Sequence, residues 1–278
     1  MTASSSPILL NHYSVLKTSG IDAKKLLQGQ VTCNVDEVSA LESRLAAHCN
    51  AQGRVLSLFY LTEYQSIYYL IMPNTMINLC LTALKKYAVF YKVELSEAPI
   101  HVIGFYGGEK PQDRPITTID AERFFVLDIH KKFAVHAHAE ALQHWQYLNI
   151  IAGIPMIYPE TSGFFLPHEI NLIQLNAVSF TKGCYTGQEI IARMEYKGKL
   201  KKHLYTAEIQ SYATPIPGVD VQYQSGHDIL SAGTVVDACQ TKLHHFQVLM
   251  LLHDEDVQGN DLFIDGDEDA FFQHIKLR

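Results

Sequence analysis

The chain reads as an α+β protein, with two α+β units in tandem followed by a small C-terminal β-barrel, and three observations predict this. Strand-like apolar runs alternate with stretches of helical apolar spacing over roughly the first 200 residues. From about residue 203 that spacing stops, and short runs set off by Pro215, Pro217, Gly218, Gly226 and Gly233 take over, as in a small all-β module. At 278 residues the chain is also about twice the single-domain prior of roughly 150. The expected division is 1–95, 96–200 and 201–278.

Ile21 to Gln28 has the pattern of a short helix, with Asp22 as N-cap, Leu26 and Leu27 on the buried face and Gly29 as terminator. Arg44 to Cys49 and Arg54 to Leu61 flank Asn50-Ala51-Gln52-Gly53 and predict a hairpin, with a third strand at Ser66 to Met72. After Pro73, Asn74 can cap a helix whose Ile77, Cys80, Leu81 and Leu84 share one face and whose Lys85 and Lys86 suit its C-terminal end near Tyr87. Strands are expected at His101 to Tyr106 and Arg123 to Ile129. Ala141, Trp145, Leu148 and Ala152 then mark a helix stopped by Gly153 and Pro155, and Phe246 to Leu252 is the strongest apolar run of the β module.

The balance of 22 basic against 29 acidic residues, net −7, argues against a uniformly basic nucleic-acid-binding surface. Apolar stretches such as Ile67 to Met72 fall short of the roughly 18 residues that a spanning helix needs, and Met1 to Leu10 lacks a basic leader region. The chain is therefore expected to be neither exported nor membrane-spanning. Five scattered cysteines, Cys33, Cys49, Cys80, Cys184 and Cys239, make neither a disulfide framework nor a zinc or cluster motif, which fits a reducing cytoplasm.

The segment with most chemical content runs from Phe180 to Arg193. Thr186 and Glu189 have the spacing of a capping box, so a helix is expected from Gly187 to about Tyr196. Cys184 would then lie just outside a helix N-terminus, where the dipole favours a thiolate and Lys182 and Arg193 could add positive charge. The same place equally suits a small apolar filler beside an ordinary helix. The other four cysteines lie in apolar runs and are expected to be core.

Lys182-Gly183-Cys184-Tyr185-Thr186-Gly187-Gln188-Glu189 resembles the signature of the YgfZ family of folate-binding proteins. Gln28-Gly29-Gln30-Val31-Thr32, Leu45 to Cys49 with Gln52-Gly53, and Leu84 to Phe90 are similar to that family in the same order, and the resemblance covers roughly Tyr13 to Leu204. It implies a relative of the glycine-cleavage aminomethyltransferase T-protein, with α+β folate-binding domains and a β-barrel around a channel for tetrahydrofolate or a one-carbon derivative. It further implies a link to iron–sulfur cluster assembly or repair and, through iron–sulfur enzymes or assembly factors, to tRNA modification.

Carried over by position, the folate-contacting aromatics fall on Tyr13 and Trp145 and the functional thiol on Cys184. Tyr13 stands where bacterial members carry tryptophan, and a phenol stacks on a pterin with less area. Trp145 by its helix stripe alone would be core. Where the T-protein has a carboxylate pair, this chain has Ser57 and Leu58, which cannot supply the acid–base group of aminomethyl transfer. The resulting expectation is a cytoplasmic tetrahydrofolate-binding accessory protein for iron–sulfur enzymes. The alternatives are a one-carbon transferase acting on protein or RNA, and an RNA or protein adaptor.

Two further features bear on partners. Lys182 to His203 carries six basic residues against two glutamates, and Lys197, Lys199, Lys201 and Lys202 could face a folate tail, a protein or RNA phosphates, although a charge run alone is more often a solvated face. His136, His138, His244 and His245 and the acidic run Asp254 to Asp269 lack metal-ligand spacing, so no metal is expected and the acidic run reads as a solvated loop.

Overall fold

The computed structural model describes residues 7–278, so the leader reading, which rests in part on residues 1–6, lies outside the described residues. The chain separates into two compact units, one of Met1–Leu142 with Asn176–Gln188, the other of Gln143–Leu175 with Glu189–Arg278. In chain order the elements are β1 (Ile8–Leu9), β2 (Tyr13–Ser19), α1 (Ala23–Gln28), β3 (Arg44–Cys49), β4 (Val55–Tyr64), β5 (Ile67–Pro73), α2 (Ile77–Ala88), β6 (Glu94–Ala98), β7 (Val102–Tyr106), β8 (Ile116–Thr118), β9 (Arg123–Leu127) and α3 (Ala139–Ile151). There follow α4 (Gln188–Lys197), β10 (Lys202–Gln210), β11 (Asp220–Ser225), β12 (Asp228–Lys242), β13 (His245–His253), α5 (Asp254–Val257), β14 (Leu262–Ile264) and β15 (Phe271–Leu277). The architecture is the expected α+β fold with a curled C-terminal sheet.

The first unit holds two antiparallel sheets, ordered β3-β4-β5-β2-β6 and β1-β7-β9-β8. The β3–β4 hairpin closes as the sequence predicts: the Asn50 side chain accepts hydrogen bonds from the N–H groups of Gln52 and Arg54 at 3.0 and 2.9 Å. Helix α1 begins at Ala23 with Asp22 at the expected N-cap position, but the Asp22 side chain makes no capping hydrogen bond. Its carboxylate accepts from the Lys92 N–H at 2.9 Å, a long-range partner invisible to local spacing. Helix α2 opens through a 3-10 turn at Asn74–Met76 without a side-chain cap, and buries the expected Ile77, Cys80 and Leu84.

The core of the first unit includes one histidine. His48 in β3 pairs with Ser57 of β4, is 1% exposed, and has no hydrogen-bond partner on either ring nitrogen among the described residues. Burial, helped by the positive charge of Lys86, pushes it down to about 4 from 6.5. The unfolded chain therefore binds a proton that the folded chain refuses, and stability is lost as pH falls from about 6.5 to about 4. Asp237 of the second unit, pushed up to about 6 by burial, contributes the opposite slope as pH falls below 6. Urea denaturation should isolate the histidine: between pH 7 and pH 4.5, wild type should lose about 2–3 kcal/mol more than a His48→Leu variant. Equal losses in the two proteins would show that His48 takes up no proton on unfolding.

In the second unit, α3 turns a different face inward from the one expected. Trp145, Asn149 and Ile150 are its buried residues, whereas Ala141 and Leu148 are half-buried and Ala152 is exposed. A reading that counted only apolar residues missed the buried Asn149, which rotates the inward stripe. Gly153 ends the helix as expected, with φ +68° and its N–H donated to the Ile150 carbonyl.

The C-terminal sheet is ordered β14-β11-β12-β13-β10-β15, and its two edge strands lie against each other, so the sheet curls towards a barrel. Its inward face is apolar, with Val221, Val235, Val248, Met250, Leu252 and Ile264 at its centre. Gly226 forms the β11–β12 turn, but Gly233 lies inside β12, opposite Leu252, rather than at a turn.

The acidic run is only partly solvated. The Asp254 carboxylate accepts from the Tyr205 hydroxyl at 2.9 Å and meets His203 Nδ1 with both oxygens at 2.8 Å. Asp267 accepts from the Ser211 hydroxyl and the Tyr212 N–H, each at 2.7 Å. Two carboxylates that composition assigns to solvent thus tie down chain segments of the second unit.

Candidate functional site

The sequence motif at 182–189 is not a free loop. Residues 176–188 return to the first unit and run antiparallel to the stretch from Gly29 to Cys33, so that two strings far apart in the chain become physical partners. At one end, the buried Thr32 hydroxyl donates to the Ala177 carbonyl at 2.6 Å and accepts from the Ala47 N–H at 2.9 Å. The Ser179 N–H donates to the Thr32 carbonyl at 2.9 Å. At the other end, the Thr186 N–H donates to the Gly29 carbonyl and its hydroxyl donates to Gln30 Oε1, both at 3.2 Å.

Between these ends, Lys182 Nζ donates to the carbonyls of Val31 and Cys33, each at 2.7 Å, and lies 4.9 Å from the centre of the Tyr185 ring. Burial pushes this ammonium down to about 8, while the two carbonyls and the ring face offset part of the lost hydration. Tyr185 is buried, and burial holds its phenol above the usual range. Gly187 has φ +85°, and a Cβ there would stand 2.6 Å from the Asn50 carbonyl oxygen and 3.0 Å from Gly53 Cα. The signature glycine therefore meets the β3–β4 turn backbone to backbone.

This arrangement leaves Cys184 exposed, while Cys33, Cys49, Cys80 and Cys239 are buried. Burial pushes Cys33, Cys49 and Cys80 up to about 12 and Cys239 to about 11, which leaves them thiols at neutral pH. The filler reading of Cys184 is thereby removed.

The two basic residues expected to act on Cys184 have partners of their own. Lys182 is committed to the Val31 and Cys33 carbonyls, and Arg193 is paired with Glu189 at 2.8 Å. The capping box does not form, because Thr186 gives its hydroxyl to Gln30 and Glu189 turns to Arg193; helix α4 starts at Gln188. Gly183 has open space where a Cβ would stand, so the chain beside the thiol is not crowded.

Tyr13 begins β2 in the first unit, 6% exposed, with its ring 4.2 Å from that of His12 and 6.1 Å from that of Phe125. Trp145 belongs to the second unit and is 0% exposed. Both rings offer the flat surface on which a pterin stacks, but both are covered, so a ligand would have to uncover a face. Ser57 is buried, with its hydroxyl 3.4 Å from Cys80 Sγ, and Leu58 is buried beside it in the chain.

Lys197, Lys199 and Lys201 are exposed and Lys202 is half-buried, and none of the four has an ion-pair partner among the described residues. Sequence reasoning missed two histidine–carboxylate pairs in the second unit, His168 with Glu195 at 3.3 Å and His203 with Asp254. Their members stand 27 and 51 residues apart, so no local spacing could have signalled them. Among the described residues, no helix is long and apolar enough to cross a membrane.

No model of a known protein family matches the chain. A protein of Yersinia pseudotuberculosis serotype O:1b named tRNA-modifying protein YgfZ is 35% identical over 266 residues, which span 84% of this chain and 80% of that protein. Its namesake from Colwellia psychrerythraea is 32% identical over 260 residues, 82% and 79% of the two chains. Among solved structures, the glycine cleavage system aminomethyltransferase T of Bartonella henselae superposes with a TM-score of 0.67 over 99% of this chain and 85% of that one, at 14% identity. That likeness shows a shared fold.

Proposed function

The chain belongs to the YgfZ family of tRNA-modifying proteins, and from that premise we propose that it supports tRNA modification in the cytoplasm as a tetrahydrofolate-binding accessory protein with Cys184 as its working thiol. The clients in this reading are iron–sulfur enzymes, or the factors that assemble or repair their clusters. The observation that carries the proposal is the contrast among the cysteines: four are buried and one is held in solvent by a docked segment. A thiol used by a partner needs that exposure.

Tetrahydrofolate, when bound, supplies a carrier of one-carbon units; Tyr13 and Trp145 are the side chains that would hold its pterin. The unpaired lysines Lys197, Lys199, Lys201 and Lys202 favour RNA as a further contact, since single strands present a phosphate at each nucleotide.

The thiol is tested by returning wild type or Cys184→Ser to cells lacking the protein and measuring modified nucleosides in bulk tRNA by mass spectrometry. The variant should restore less than about a tenth of the wild-type gain, the scale of losing an essential nucleophile, while keeping wild-type thermal unfolding. Full restoration would refute the role of the thiol. The ligand is tested by titrating tetrahydrofolate against Trp145 emission, with calorimetry in parallel. Saturable binding that weakens in Tyr13→Ala is expected, and absence of binding in both experiments would remove folate from the function.

A further inference from the structure

The second unit contains a cavity of about 510 Å³ between the turn-rich segment before α4, the end of α4 and the start of β10. That is within the roughly 300–1,000 Å³ of small-molecule sites. Exposure orders its walls. His168 is innermost at 6%, with Glu195 beside it at a side-chain exposure of 36%. His203 is similar at 35%, and Lys199 is outermost and exposed. Met194 and Leu200 add apolar surface between them.

Glu195 keeps one carboxylate oxygen without a partner among the described residues. His168 makes no hydrogen bond through Nδ1 among the described residues, and its Nε2 lies 3.3 Å from Glu195 Oε2. Both of its ring nitrogens are shut off from solvent, so its part in the cavity is to hold Glu195. His203 is held from behind, because both Asp254 oxygens, themselves acceptors, meet Nδ1 at 2.8 Å and leave Nε2 as its free nitrogen. Lys199, at the outer wall, lies in the same short stretch as the unpaired Lys197, Lys201 and Lys202.

We propose that this cavity takes one unpaired guanosine of an RNA strand, with the base inside and the phosphate at the mouth. The proposal rests on the reading that the lysines contact RNA, and adds what the cavity recognises. The apolar walls, including the thioether of Met194, suit a base face. Glu195 offers only acceptors, and guanine is the RNA base with two adjacent N–H donors, N1–H and the N2 amino group, on its Watson–Crick edge. Uracil presents acceptors on both sides of one donor and would set them against the carboxylate. Lys199, towards the mouth, would meet the phosphate.

The test compares a short fluorescein-labelled oligouridylate with the same strand carrying one central guanosine, by anisotropy, against three full-length proteins. Wild type should bind the guanosine strand about tenfold more tightly, the scale of one bidentate base contact. Glu195→Gln should lose most of that preference at unchanged thermal stability. The double variant Lys199→Ala, Lys201→Ala should bind both strands more weakly, keep the preference and show a flatter salt dependence. Equal affinity of wild type for the two strands, or an undiminished preference in Glu195→Gln, overturns the cavity assignment and leaves the lysine contact standing. Absence of binding to either strand overturns both, and leaves the thiol reading to its own nucleoside assay.

Discussion

Gly187→Ala is expected to lower unfolding free energy by about 3 kcal/mol, because a side chain there meets two costs at once. The backbone sits at φ +85°, a conformation that L side chains rarely adopt, and the added carbon would press on the Asn50 carbonyl and Gly53 Cα. Both obstacles are backbone atoms of a tight turn, so neither can rotate away as a flexible side chain would. Gly183→Ala, four residues earlier in the same motif, meets open space and should stay within about 0.5 kcal/mol of wild type. Urea melts of the two variants make the comparison. Equal stabilities would mean that the signature segment does not depend on its contact with the hairpin turn.

Thr32→Val should cost a similar amount by a different route. The two side chains have nearly the same shape, so no cavity opens; what disappears is a hydroxyl that both donates and accepts at a position with no access to water. The Ala177 carbonyl and the Ala47 N–H would be left unsatisfied, each at about 1–3 kcal/mol. Thr32→Ser, which keeps the hydroxyl and gives up one methyl group, should lose only about 1 kcal/mol. If valine proved milder than serine, packing rather than hydrogen bonding would hold the returning segment. Faster modification of Cys184 by a thiol reagent in the valine variant would link the same bonds to presentation of the thiol.

Elements governed by near neighbours in the chain were legible. The β3–β4 hairpin follows from Asn50 and Gly53, the buried face of α2 from its apolar spacing, and the end of α3 from Gly153. Positions decided by distant partners were not. Asp22 and Thr186 both carry the chemistry of a helix cap, yet the first serves the Lys92 amide and the second serves Gln30. A capping pattern states what a side chain can do locally, and a better-placed partner far along the chain overrides it.

The site divides in the same way. The motifs Gln28–Thr32 and Lys182–Glu189 could be recognised as strings, but their pairing depends on a chain reversal that no string contains. Lys182 joins the two strings through backbone carbonyls, a role that its charge alone does not announce. His168 and Glu195 lie in stretches of unlike character and carried no joint signal.

The return of residues 176–188 to the first unit also sets an order of events during synthesis. The hydroxyl of Thr32 must wait for a partner made 145 residues later, and the Val31 carbonyl waits 151 residues for Lys182. At ribosomal speeds of roughly 5–20 residues per second, that delay is about 7–30 s. Throughout it the nascent first unit carries an open seam where its last strip belongs, a surface for chaperones to cover. A chain stopped before residue 176 keeps that seam and has no thiol to display, so closing the unit and arming it are one late event.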